Sequence, residues 1–364
     1  MEKKLRVGII GTGGIARAHA QKYMMMEDVE LVAGADIVPG KARDFLDARD
    51  LTKAEAFESA QEMLEKMELD AVSVCTYNQT HAECTVAALE AGLPVLLEKP
   101  MCVTMEQAGE ILRAEKKSGK FVSVGFQPRY DPNSKKIKEI VQSGDLGKIY
   151  YVQTGGGRRR GIPGGTFIRQ ETAGVGALAD IGCYGLDMPL NALGYPKPLT
   201  VSATAFDHFG KSPENSPQFY KDFSVDDFSV ALVRLEGGIT LDFRMSWAMH
   251  MDTTGATFFL GDKAGFKVMP AGKGQLWGGA WDGTVGSMTL YHDSYGIPTE
   301  TPIPYITHKV DVFYEKVRAF VEAVKNGGSA PIPTSEIIYN QAIISGILES
   351  SRLGHEVEVV LPKV

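Results

Sequence analysis

The stretch Leu5-Arg6-Val7-Gly8-Ile9-Ile10-Gly11-Thr12-Gly13-Gly14-Ile15-Ala16 decides the fold. Its first half is a short apolar run, the mark of a strand buried on both faces. Its second half, Gly11 to Ala16 with Gly14 and Ile15 inside it, fits Gly-x-Gly-x-x-Ala at the opening of a helical stretch. In that pattern Gly11 permits the tight turn, Gly13 lets the backbone approach a pyrophosphate, and Ala16 lets the helix pack closely on the strand. The helix start then stabilises the phosphate charge. The pattern also needs an acid at the end of the second strand, and Asp36 stands there, 20 residues beyond Ala16. A carboxylate at this place accepts hydrogen bonds from the adenosine ribose hydroxyls and repels a 2′-phosphate, so NAD is favoured over NADP, although Lys41 and Arg43 are near. The competing reading is a glycine-rich turn beside a surface aspartate. The strand–turn–helix context argues against it.

Outward from this stretch the chain alternates in period. Residues 5–10, 29–35, 69–76, 94–98 and 121–126 are short apolar runs. Between them residues 14–26, 41–49, 59–67, 80–91 and 104–118 carry helical spacing, with Gly92 and Gly119 just past two of the stretches. This predicts an α/β fold with a doubly wound parallel sheet, the Rossmann arrangement, over residues 1–126. From about residue 145 the pattern becomes period-two: 148–157, 199–209, 228–235, 239–247 and 257–260 read as strands. Gly237-Gly238 between two of them signals a hairpin. Residues 127–364 are therefore expected to form a second, α+β domain for substrate binding and oligomerisation. It would carry a large, mostly antiparallel sheet with one open face and two closing helices at 310–325 and 335–353. An uncovered apolar sheet face is a natural subunit interface, so a homodimer or higher homo-oligomer is expected. Residues 207–227, polar with two prolines, read as a surface loop.

Composition removes several classes of function. At 364 residues, with 44% hydrophobic and 23% charged, the chain is long enough for two cores and is not disordered. A net charge of −7 without a long basic run makes a poor polyanion binder, so no nucleic-acid partner is expected. No apolar run reaches the length of a bilayer span, and the start reads as a strand rather than a signal peptide, so the expectation is a cytoplasmic protein with no membrane partner. The four cysteines form no Cys-x-x-Cys pair, and the seven histidines show no ligand spacing. His81-Ala82-Glu83 has the form of a zinc-deaminase motif but lacks its cysteine pair, so no metal is expected.

Further motifs follow in order: Cys75-Thr76-Tyr77-Asn78-Gln79-Thr80-His81, then Glu98-Lys99-Pro100, then Val124-Gly125-Phe126-Gln127-Pro128-Arg129-Tyr130, then Asp180-Ile181-Gly182-Cys183-Tyr184-Gly185-Leu186-Asp187. Together with the fingerprint they resemble the glucose–fructose oxidoreductase, inositol dehydrogenase and MocA family along essentially the whole chain. Tyr77 replaces the family's loop proline, and Tyr184 replaces its usual histidine, as in the tyrosine-bearing branch. The resemblance implies an NAD-dependent oxidoreductase acting on a sugar, polyol or glycoside. It implies that Thr76, Asn78, His81, Glu98, Lys99 and Gln127 lie at the cofactor.

Alcohol oxidation needs a hydride acceptor and a base for the hydroxyl proton. Tyrosine, with an ordinary pKa near 10, needs a neighbouring cation to serve as that base at neutral pH. Lys99 is the candidate cation and Tyr184 the candidate acid/base. Asp180, four residues before Tyr184, would share its helix face and either accept from a substrate hydroxyl or orient Lys99. Asp187 would cap or brace the same helix. Arg158-Arg159-Arg160 either meets a polar substrate or cofactor phosphate or forms a solvated loop, and sugar-facing residues are expected from 158–166 and 207–227. His19 reads as a packing residue. Two alternatives stay open: a glycosidase that uses bound NAD transiently, and a non-catalytic nicotinamide-binding sensor. Possession of both Lys99 and Tyr184 weighs against the sensor.

Overall fold

The computed structural model of the chain describes residues 3–252, 254–270, 285–304, 306–307 and 310–363. Two compact units form. The first comprises Met1–Phe126, Phe313–Ile338 and Pro362–Val364, and the second Gln127–Val312 and Tyr339–Leu361.

In the first unit the chain runs β1 (Leu5–Ile10), α1 (Gly14–Met24), β2 (Val29–Ala35), α2 (Lys41–Asp47), β3 (Glu55–Phe57), α3 (Ala60–Lys66), β4 (Ala71–Val74), α4 (His81–Glu90), β5 (Val95–Leu97), α5 (Met105–Ser118) and β6 (Val122–Val124). The six strands are parallel in the order β3-β2-β1-β4-β5-β6. The winding direction therefore reverses between β1 and β4, and the crevice beyond their carboxyl ends is where such sheets take ligands. Local chemistry explains the helix limits. Thr104 and Gln107 close a reciprocal cap at the start of α5, and Gly119 ends it in the left-handed region at φ +66°. Strand β3 was not anticipated; it has three residues, one of them buried, too few to carry a period.

Phe313–Ile338 was expected in the second domain and instead packs in the first unit. Val317, Phe320 and Val321, on the helix Val312–Lys325 (α10), share one apolar core with Val7, Ile9, Leu31 and Leu96. Their spacing of three, four and one makes a single stripe, and the sheet face is what buries it.

The second unit contains α6 (Pro132–Gln142), β7 (Ile149–Gly157), α7 (Gln170–Ala173), α8 (Ala177–Asp180), α9 (Gly182–Leu193), β8 (Pro198–Phe206), β9 (Phe228–Leu235), β10 (Ile239–Ser246), β11 (Thr257–Gly261), β12 (Ala264–Val268), β13 (Met288–Ser294), β14 (Ile297–Ile303) and β15 (Val357–Glu358). Helix α11 (Thr334–Leu353) belongs to this unit from Tyr339 onward. Nine strands make one sheet, β14-β13-β12-β11-β7-β10-β9-β8-β15, antiparallel throughout except between β7 and β10. Glu236, Gly237 and Gly238, the two glycines at φ +81° and +80°, form the three-residue turn that pairs Leu235 with Ile239. Leu241, Phe243, Met245 and Trp247 are fully buried on the inner face, where α9 packs on β7 and β10. Residues 207–227 are not merely surface: Phe223, Val225 and Asp227 are buried. Among the described residues no helix is long and apolar enough to cross a membrane.

Candidate functional site

At the carboxyl edge of the first unit's sheet, Gly11 sits at φ +84°, and a Cβ there would stand 2.8 Å from the Cys75 carbonyl group and the Thr76 nitrogen. Only glycine fits so close to the neighbouring strand end. Gly13 and Gly14 face open space, with nothing within 4 Å of a Cβ placed on either. Gly13 caps α1 without a side-chain bond and no acid lies in the first turn, so side chains leave the helix's leading N–H groups unclaimed. Ala16 is fully buried beneath, and Ile15 is half-buried beside it.

The Asp36 carboxylate accepts from the Thr12 N–H at 2.9 Å, the Thr12 hydroxyl at 2.8 Å and the Lys41 ammonium at 2.7 Å. Burial works against its ionisation, but Lys41 and the Thr12 and Val38 N–H groups outweigh it and hold the carboxyl below its ordinary range. The second candidate cation, Arg43, is turned away onto the Ala54 and Leu51 carbonyls. An open helix N-terminus, room at two glycines and an ionised acid at the end of β2 fit a dinucleotide with free ribose hydroxyls.

Beyond β4, Thr76 and Asn78 are half-buried, Asn78 opening a 3₁₀ turn, Asn78–Thr80. His81, expected at the cofactor, is fully buried, with Nδ1 2.7 Å from the Pro100 carbonyl and Nε2 3.2 Å from that of Thr76. Burial keeps its ring neutral, and the single N–H goes to the shorter contact. His81 therefore braces the turn after Lys99 rather than offering a ring nitrogen to a ligand.

Glu98, also expected at the cofactor, turns into the core. Its Oε1 lies 2.5 Å from the Lys316 ammonium and 2.8 Å from His19 Nε2, and all three side chains are buried. Burial alone would push the Glu98 carboxyl up, but Lys316 and His19 pull it well below the usual range. Burial and Lys316 together lower His19, so its ring is neutral. The consistent arrangement has Nε2–H donating to Glu98 while Nδ1 accepts from Ser73, which in turn accepts from the Tyr23 hydroxyl. Lys99 follows directly, half-buried at the carboxyl end of β5, its backbone N–H 3.3 Å from Glu98 Oε2. Lys316 was missed in the sequence. The available signal was a lone lysine on the same stripe as Phe313, Val317 and Phe320.

In the second unit Tyr184 lies on α9, buried, and its hydroxyl oxygen accepts from the Gln127 amide at 2.8 Å. Asp180 and Tyr184 do not share one helix. Asp180 ends α8, and the turn at Ile181 separates it from α9. The Asp226 carboxylate takes the Gly176 and Leu178 N–H groups at 2.7 and 2.8 Å, fixing a separate start for α8. The Asp180 carboxylate then accepts from the fully buried Trp247 indole at 2.9 Å. Asp187 braces, as one reading had it, through two bonds from Arg129 at 2.8 and 2.9 Å. Pro189 inside α9 removes the donor that would reach the Gly185 carbonyl, and the Thr154 hydroxyl supplies one at 3.0 Å. Segments 158–166 and 207–227 meet: the Arg160 guanidinium covers the Phe209 ring at 4.8 Å, and Phe209 packs on His250.

The chain is similar to known proteins in sequence and in fold. The oxidoreductase family model with an NAD-binding Rossmann fold (GFO_IDH_MocA) matches residues 5–126, and the GFO/IDH/MocA C-terminal domain matches residues 134–267. The chain is 36% identical over 275 residues to a D-glucoside 3-dehydrogenase from Escherichia coli (strain K12), a match spanning 73% of this chain and 78% of that protein. A myo-inositol 2-dehydrogenase from Thermotoga maritima is 33% identical over 149 residues, 41% of this chain and 44% of that enzyme. In fold, the chain is similar to the crystal structure of an aldose–aldose oxidoreductase from Caulobacter crescentus, with a TM-score of 0.77 at 21% identity, covering 98% of this chain and 100% of that one.

Proposed function

Because the chain belongs to the Gfo/Idh/MocA family of NAD-binding oxidoreductases, we propose that it oxidises a secondary hydroxyl of a sugar, polyol or glycoside, with Tyr184 as acid/base and Lys99 as its electrostatic partner. Bound NAD supplies the hydride acceptor. The observation that carries the reading is the placement of Lys99, a half-buried lysine at the carboxyl end of β5, at the edge where doubly wound sheets take ligands. Tyr184 takes the hydroxyl proton at its phenol oxygen, and the Lys99 charge favours the alkoxide and phenolate forms. Gly11, Gly13, Gly14, Ile15, Asp36, Thr76 and Asn78 bind the cofactor. Glu98 and His81 hold the loop that carries Lys99. Glucosides are the first substrates to try, given the name of the relative that spans most of the chain.

The test is a panel of glycosides, free sugars and inositols with NAD and, in parallel, NADP. Reduced-nicotinamide absorbance and product analysis are read from the same reactions. Turnover with one substrate group and a preference for NAD is the expected result. Glycoside cleavage without net reduced cofactor would replace this reading with that of a redox-assisted glycosidase. Absence of product across the panel, with NAD bound, would favour a sensor.

The open face of the nine-stranded sheet carries Val230, Leu232, Tyr151 and Phe258, with Leu232 exposed, around the Asp242–Arg244 pair. We propose that a second copy of the chain covers it. Light scattering is expected to give a dimer or larger mass that Leu232→Asp lowers, and a monomeric mass for the parent chain would end this part of the proposal.

A further inference from the structure

Gln127 is almost completely buried, yet only half of its amide is satisfied. Nε2 donates to the Tyr184 hydroxyl oxygen, while Oε1 is buried with no hydrogen-bond partner among the described residues. A buried orphan acceptor is costly to folding, and an apolar side chain of the same shape would avoid that cost. Two residues on, in the same 3₁₀ turn (Gln127–Tyr130), Arg129 clamps Asp187 through Nε and a terminal nitrogen, both side chains nearly buried. The Tyr195 hydroxyl also donates to Asp187, and the Arg129 guanidinium lies 5.0 Å from the Tyr195 ring centre. Asp187 is three residues after Tyr184 on α9, so both stand on one face of the helix. The clamp thus fixes the turn carrying Gln127 against the face carrying Tyr184.

We infer that Gln127 is a positioning residue for Tyr184, its amide N–H held at the phenol oxygen by the Arg129–Asp187 clamp. An N–H directed at that oxygen stabilises it when the proton leaves, and it leaves the hydroxyl's own hydrogen to point elsewhere, as a proton donor or acceptor in turnover must. This rests on the reading of Tyr184 as acid/base, and the experiment separates the two.

The phenolate of Tyr184 is titrated in the full chain as the absorbance difference between the parent and Tyr184→Phe, and again in the Gln127→Leu background. Gln127→Leu is expected to leave thermal stability unchanged or raised. It is expected to cut the phenolate fraction of Tyr184 at a fixed pH about tenfold, one pKa unit or about 1.4 kcal/mol. The limb of the kcat/KM profile that reports the base should move by the same amount. Arg129→Lys, which keeps the charge but loses the two-pronged bond, should move the titration in the same direction. An unmoved titration in Gln127→Leu overturns the inference. A moved titration with an unmoved kcat/KM profile upholds the positioning and overturns the role of Tyr184 as base. An unmoved titration in Arg129→Lys alone overturns the clamp.

Discussion

Lys99→Met is expected to lower kcat/KM by about 10²–10⁴-fold while the chain stays folded and still binds NAD. Methionine keeps the length and apolar stem of lysine and removes only the ammonium. Lys99 is half-buried after β5 and outside the core, so little packing is lost. Tyr184→Phe is expected to lose activity on the same scale, since phenylalanine refills the buried ring site on α9 and deletes only the hydroxyl. If the two groups act as one unit, the double variant should be about as slow as the slower single one, because the second loss removes nothing still working. Steady-state kinetics, NAD affinity and Tm on the same preparations check this. Unchanged kcat/KM in either single variant would refute the acid–base assignment. Lost NAD binding in Lys99→Met would assign the lysine to the cofactor instead.

Lys316→Met should destabilise the first unit by about 3–5 kcal/mol, the usual cost of leaving one member of a buried ion pair alone. The stranded group is Glu98, which burial disfavours as an anion and which Lys316 and His19 compensate. Pairing the change with Glu98→Gln should recover much of the loss, since two neutral groups need no counter-charge. The sign of the pH dependence follows. A carboxyl held below its ordinary value of 4.5 contributes fully at pH values above that and loses its contribution as the pH falls. Acid unfolding of the parent should therefore be steeper than that of the double variant. Urea melts at neutral and acid pH measure both effects, and a loss under about 1 kcal/mol for Lys316→Met would show that Glu98 does not depend on it.

Much of the first unit was legible because its determinants are local. Gly11, Gly13 and Ala16 specify a turn and a packing distance within six residues, and Asp36 ends the next strand. The hairpin at Gly237-Gly238 was readable for the same reason: two positive φ angles admit few residues other than glycine. What escaped depends on pairs distant in sequence. Nothing near Glu98 says that its carboxylate faces inward, because its counter-charge is 218 residues away. Nothing near Asp180 says where its helix α8 begins, because Asp226, 50 residues from Gly176 and just before β9, defines that helix start. Strands β12 to β14 are partly exposed and mixed in polarity, so no clean alternation marks them.

The placement of α10 bears on how the protein is made. On the ribosome, the six parallel strands emerge long before the helix that finishes their core. Until Val317, Phe320 and Val321 are synthesised, the sheet face they cover stays bare, and Glu98 has no ammonium to meet. The second unit's sheet is translated almost entirely within that interval. The nascent amino-terminal part therefore waits as an unfinished, apolar intermediate, a natural client for chaperones. A gene cut at the apparent boundary after Phe126 would encode that waiting state permanently.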